Sequence, residues 1–285
     1  MSLQLALEEP EARPWRVELL RAVIGAVIRD GRAKIAAGRP VVLAVDGRSN
    51  SGKTTLAARI AQAVPGAVVV HTDDIAWGHS RFGWADLLTD GILVPIRQGR
   101  AVRYRPPRWV EHGREGSIGI PADCPLLLIE GDGAGRREVT HLIDALIWVQ
   151  SDEREAERRR LARERNPDAA DMANRAFDKL PFDHAGWMAE ELPFNTAQRT
   201  WERADIIVCG TPEIPCDLVT EIVVGPPTQA RLPDRYSTSP AGHKSRLRRR
   251  CRATRWGPQV SSQERKASRS GPSDLLVWLT VSYRN

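Results

Sequence analysis

The chain is poor in cysteine and has no long apolar run, and each shortage removes a class of protein. Its four cysteines, Cys124, Cys209, Cys216 and Cys251, lie far apart among 285 residues and form no C-x-x-C pair. Neither a disulfide framework nor a zinc site is therefore expected. Apolar runs such as LLLI at 126–129 and LLVWL at 275–279 fall far short of the roughly 20 residues that a membrane span needs. The opening MSLQLALEEPEARPW carries glutamates where a secretory signal carries bases, so a cytoplasmic protein is expected. With 41% hydrophobic residues, the chain has enough apolar material for a sizeable core.

The net charge of +6 is unevenly placed. Residues 228–285 hold 13 Lys and Arg against 3 Asp and Glu, leaving 29 basic and 33 acidic residues in 1–227. The body is mildly acidic, so nucleic-acid binding is expected only through the basic tail. That tail, 226–285, is rich in Arg and Ser without a sustained period, which reads as disorder. Residues 1–37 read as an N-terminal helix, with apolar positions recurring at helical spacing from Trp15 to Ala37. Between them, VVLAVD at 41–46, AVVVH at 67–71, LLLIE at 126–130, ALIWV at 145–149 and DIIVC at 205–209 are short buried-strand candidates separated by charged or helical stretches. This alternation predicts an α/β domain over 38–225, a doubly wound parallel sheet covered on both faces.

Residues 47–54, GRSNSGKT, match G-x-x-x-x-G-K-[ST] between a strand candidate and a helix candidate, the context that a phosphate loop requires. Gly47 and Gly52 free the backbone of Ser49, Asn50 and Ser51 to aim N–H groups at phosphate oxygens. Lys53 is placed to reach the β- and γ-phosphates, Thr54 to ligate magnesium and Thr55 to meet the α-phosphate. ATP and Mg²⁺ are thus the expected cofactors. No N-K-x-D sequence for guanine occurs. Glu130, at the end of a buried strand, lies at the sheet edge where ligands bind and is a second candidate for magnesium; DGAG at 132–135 fits D-x-x-G, a short and weak pattern. HTDDIAW puts Asp73 and Asp74 at the end of another strand, where one carboxylate can take the proton of an acceptor hydroxyl and its neighbour contact the acceptor. His71 reads as a core histidine. SDEREAERRRLARER fits a helix whose Arg159, Arg160 and Arg163 could neutralise a transferring phosphoryl group from a lid ended by Asn166-Pro167. The loop-like RYRPPRWVEHGREG offers Tyr104, Trp109, His112 and Arg114 to a planar substrate. Gly210 and Thr211, after the last strand, are candidates for the nucleotide base by position.

In order and spacing, DGRSNSGKTTLA, VVHTDDIAW, PIRQGRAVRYRPPRW, LLLIEGDGAG, the arginine-rich segment and TWERADIIVCGTP resemble the uridine kinase branch of P-loop kinases, over about residues 38–213. The resemblance implies a P-loop NTPase sheet with an arginine-rich lid. It also implies Asp73 as catalytic base, Glu130 as the strand-end glutamate, lid arginines at 159, 160 and 163, and base recognition by Trp109, His112 and Arg114. Two departures stand out: Arg108 replaces an aspartate usual in relatives, and IAWGHSRFGW replaces a simpler acceptor loop. The expected activity is phosphoryl transfer to a hydroxyl, most simply the 5′-hydroxyl of a nucleoside. A sugar, antibiotic or other alcohol is the alternative acceptor, and a non-transferring ATP-binding protein the alternative class.

Overall fold

A computed structural model describes residues 2–5, 9–35, 38–165 and 183–228. The chain divides into two units, 1–239 and 240–285, and every described residue belongs to the first. The tail beyond 228, Cys251 and the expected lid end at Asn166-Pro167 lie outside the described residues.

Five strands form the parallel centre: β2 (Val41–Gly47), β3 (Val68–His71), β6 (Leu126–Glu130), β7 (Ala145–Gln150) and β8 (Ile206–Cys209). Every residue of β2 and β6 is buried, as expected of apolar strands covered on both faces. Two further strands, β1 (Arg16–Leu19) and β9 (Glu221–Gly225), extend the sheet at one edge in the order β1-β9-β8-β7-β2-β6-β3. β9 runs antiparallel to both neighbours. The sheet is thus mixed at its edge, and the expected helix from Trp15 begins instead as a strand. RVEL pairs with β9 before α1 (Leu20–Lys34) starts, because main-chain pairing satisfies an edge whose N–H and C=O groups a local helix would leave open.

One face of the sheet is covered by α1 and α2 (Lys53–Ala63), through Leu20, Val23, Ile24, Val27, Leu56 and Ile60. The other is covered by α4 (Ala85–Leu88), which continues through a π-helical turn at Thr89–Leu93 into α5 (Val94–Arg97), and by Trp84 and Trp201, the latter edge-on against Trp148 of β7. Below the sheet Arg39 grips Asp144 with two bonds of 2.7 and 2.8 Å while Asp144 also accepts the Val42 N–H, fixing the entry of β2 against that of β7. RYRPPRWVEHGREG at 103–116, expected to be loop-like, instead begins within β4 (Val102–Tyr104), which pairs with β5 (Ile118–Ile120), and contains α6 (Pro107–Glu111).

Candidate active site

The parallel strands end together, and their C-terminal loops build one cleft. β2 runs into the phosphate loop through Gly47, whose φ of +154° admits glycine, and a Cβ there would lie 2.6 Å from the Val149 carbonyl. Asn50, with φ of +59°, turns the loop, and α2 starts at Lys53. Asp46 fixes the arrangement: fully buried, it accepts the N–H groups of Gly47 (2.8 Å), Gly133 (2.9 Å) and Gly135 (2.9 Å). The loop after β6 is thereby sewn to the phosphate loop. Burial lifts the Asp46 carboxyl to about 6 against these hydrogen bonds.

Lys53 is buried and makes two contacts, 2.8 Å to the Arg48 carbonyl and 2.5 Å to Asp132. Burial acts to lower its pKa, but the charges of Asp132 and Glu130 overcome this and raise it. Asp132 also accepts the Ser49 hydroxyl at 2.9 Å. Thr54 donates to Glu130 at 3.0 Å, and the other Glu130 oxygen lies 2.6 Å from His71 Nδ1. Burial pushes Glu130 up, yet the His71 hydrogen bond and the Lys53 charge hold it below the usual carboxylate range. His71 is raised, first by that same hydrogen bond. It is half-exposed and part of the cleft, which corrects its reading as a core histidine.

α3 (Thr72–Ala76) follows β3 directly and carries Asp73 and Asp74 in its first turn. Thr72 is buried against the loop after β6, where Gly131 has φ of +138° and a Cβ would fall 1.9 Å from the Thr72 hydroxyl. Asp73 reaches solvent but stands inside the cleft, so desolvation and the charges of Asp132 and Glu130 lift it to about 6. Asp74 turns the other way: its carboxylate takes Arg114 at 2.6 Å and its carbonyl takes the Trp109 indole at 2.9 Å. Arg114 lies 3.7 Å over the Trp109 ring, and His112 meets Trp77 edge-on at 5.6 Å. Of the expected acceptor group Asp74, Tyr104, Trp109, His112 and Arg114, the structure brings all but Tyr104 together.

α7 (Glu153–Arg165) carries the arginines. Arg159 donates to the Gly210 carbonyl at 2.8 Å and the Ser51 carbonyl at 3.3 Å, so it spans the phosphate loop and the end of β8. Arg160 is taken up by Glu157 and Glu164, and Arg163 is exposed on the last turn. Tyr104 packs its ring over Gly91 against the core. Thr55 is exposed at the start of α2, and Thr211 receives the Asp152 N–H at 3.1 Å. Beside Thr211 opens a cavity of about 550 Å³ lined by Glu11, Arg13, Trp15, Pro212 and Ile214 among others.

Asp132, Glu191 and Trp187 escape the sequence reading. The last two lie on α8 (His184–Gln198), which rests on the phosphate loop: Glu191 accepts the Ser49 N–H at 2.7 Å and the Trp187 indole donates to the Ser49 hydroxyl at 2.7 Å. Its buried residues, Glu191, Asn195 and Gln198, recur at i, i+4 and i+7. A polar stripe of this kind has no apolar period to reveal a buried helix face. Asp132 lay within a D-x-x-G match too short to single it out.

Among the described residues, no group of three or more His, Cys, Asp or Glu side chains is arranged to hold a metal, and no helix is long and apolar enough to cross a membrane.

No family model and no curated protein matches the chain. Solved structures similar to it include two named as kinases. A "putative fructose transport system kinase" from Silicibacter sp. TM1040 is 18% identical, covering 55% of this chain and 88% of that one, with a TM-score of 0.40. A "possible uridine kinase" from Bacillus stearothermophilus is 20% identical, covering 65% of this chain and 98% of that one, with a TM-score of 0.35. The central strand order is β8-β7-β2-β6-β3, all parallel, with the GRSNSGKT loop after β2 at its middle.

Proposed function

We propose that the protein transfers the γ-phosphoryl group of ATP to the hydroxyl of a small molecule, the 5′-hydroxyl of a nucleoside such as uridine being the first acceptor to test. The observation that carries this reading is the placement of Asp73 in the first turn of α3, where the charges of Lys53, Asp132 and Glu130 all act on it. A carboxylate there suits a general base, and a lysine beside it suits a triphosphate.

The donor set fits a hard divalent cation. Thr54 and Glu130 converge within 3.0 Å, and two such oxygens match magnesium, which takes one or two protein ligands together with phosphate oxygens and water. When bound, the ion supplies charge neutralisation on the β- and γ-phosphates. The chain's own groups do the rest. Lys53 exchanges Asp132 for phosphate oxygen, and Asp73 orients the acceptor hydroxyl and accepts its proton. The bond from acceptor oxygen to γ-phosphorus then forms while the bond to the β-phosphate oxygen breaks, and ADP leaves. Arg159 holds the loop that receives the triphosphate, and Arg160 and Arg163 lie further along the same helix, Arg160 having to exchange Glu157 and Glu164 for phosphate oxygen to act there. The cavity beside Thr211 suits the nucleotide base, and Trp109, His112 and Arg114 suit the acceptor.

The test is magnesium-dependent ADP release by the full chain with uridine, cytidine, other nucleosides, sugars and amino-alcohol antibiotics. Release that requires one acceptor supports the kinase and names its substrate. Release without any acceptor, or ATP binding without release, refutes it in favour of an ATPase or a non-transferring nucleotide-binding protein.

A further inference from the structure

β3 and β6 lie side by side with His71 directly opposite Glu130 in the parallel register, each the last residue of its strand. The sheet itself therefore sets the imidazole beside the carboxylate. His71 Nδ1 lies 2.6 Å from Glu130 Oε2, and the Thr54 hydroxyl donates to Oε1 at 3.0 Å. Each carboxylate oxygen thus has its own neighbour. The main chain of Glu130 is held from the other side as well, since Val45 of β2 is its register partner and the Gly131 N–H donates to the Val45 carbonyl at 3.2 Å. Only the rotation of the side chain is left open. Glu130 is buried, and a buried carboxylate oxygen without a donor is costly, so the group turns toward whatever donor it can reach. The competing donor is Lys53, whose charge acts on Glu130 although its hydrogen bonds go to Asp132 and the Arg48 carbonyl. A Glu130 that swung toward Lys53 would leave Thr54.

We propose that His71 is a positioning residue for the divalent cation: by donating its Nδ1–H to Glu130 Oε2, it keeps Oε1 turned to Thr54, so that the two magnesium-binding side chains stand together. This rests on the kinase reading above, in which Thr54 and Glu130 hold magnesium. An ionised carboxylate only accepts, so Nδ1 carries the hydrogen of the 2.6 Å contact. Partners of this kind orient a ligating side chain without touching the ion, and removing one weakens metal affinity about 10- to 100-fold. The His71 side chain is 43% exposed, so it is not there to fill a core. Its replacement opens no large cavity.

The test is Mn²⁺ binding to the full chain in the presence of ADP, read by electron paramagnetic resonance, Mn²⁺ sharing magnesium's preference for oxygen ligands. The wild type is compared with His71→Ala, His71→Leu and His71→Asn. Leucine keeps bulk without a donor, whereas the asparagine amide can offer an N–H near the place of Nδ1. His71→Ala and His71→Leu should weaken Mn²⁺ binding about 10- to 100-fold, and His71→Asn should recover most of that loss. ADP binding in EDTA, which also reports a folded phosphate loop, should change far less. A merely structural His71 would shift both affinities alike, without selective rescue by asparagine. If the alanine variant fails to fold, the leucine and asparagine pair decides. Wild-type Mn²⁺ affinity in the alanine and leucine variants, or an asparagine variant as weak as leucine, overturns the inference and leaves the kinase reading intact. A wild type that binds no Mn²⁺ with ADP overturns both.

Discussion

Asp73 offers the most direct test of the site. An aspartate in water has a pKa near 3.9 and would be fully ionised from pH 5 upward, leaving the rate flat. With the pKa raised to about 6 by desolvation and by the charges of Asp132 and Glu130, only about one tenth of Asp73 is ionised at pH 5 and about nine tenths at pH 7. If the ionised form is the base, kcat/KM should rise about tenfold across that interval and level off above pH 7. Lys53 and His71 act in the opposite sense on the same group, so the position of the limb reports the balance of all four. Asp132→Asn removes one negative neighbour and should move the limb to lower pH. Asp73→Asn removes the proton acceptor and should reduce kcat about 10²- to 10⁴-fold, or about 3 to 5 kcal/mol of barrier, while leaving nucleotide affinity nearly unchanged. The assay is coupled ADP release across pH 5–9, with a fluorescent nucleotide titration alongside. A flat profile, or an Asp73→Asn enzyme with wild-type kcat, would refute the assignment of Asp73 as base.

Three further perturbations test the frame around it. Lys53→Met should lower turnover about 10³-fold by removing the phosphate's cation, measured by ADP release, and should lower the melting temperature because Asp132 is left without its buried partner. Arg39→Ala strands Asp144, whose side chain is only 5% exposed, and should cost about 3 kcal/mol in urea unfolding, the low end for a broken buried pair because Arg97 and the Val42 N–H still reach it. Gly131→Ala would drive a Cβ into the Thr72 hydroxyl and shift α3. It should cut kcat about 10²-fold or less at nearly constant nucleotide Kd, since a displacement near 1 Å of the base is enough for that.

The sequence by itself determined the phosphate loop and the central strands, because both are local in character. Fully buried parallel strands must be apolar throughout, so β2, β6 and β7 announce themselves in VVLAV, LLLI and ALIWV, and a loop that wraps phosphates needs its glycines and lysine at fixed spacing. The positions of Asp73 and Glu130 followed for a related reason: Glu130 ends β6 and Asp73 comes two residues after β3, at strand ends that the apolar runs mark. The edge strands β1 and β9 were not legible, since RVEL and EIVVG become strands through each other across about two hundred residues. Only the tertiary structure decided which charges meet. Asp132 finds Lys53, His71 finds Glu130, and Asp46 gathers three glycine N–H groups, because the sheet brings the ends of β2, β3 and β6 to one place. α8 shows the same limit most clearly: Glu191 and Asn195 lie on a buried face that meets the polar loop around Ser49, so no hydrophobic period could identify it.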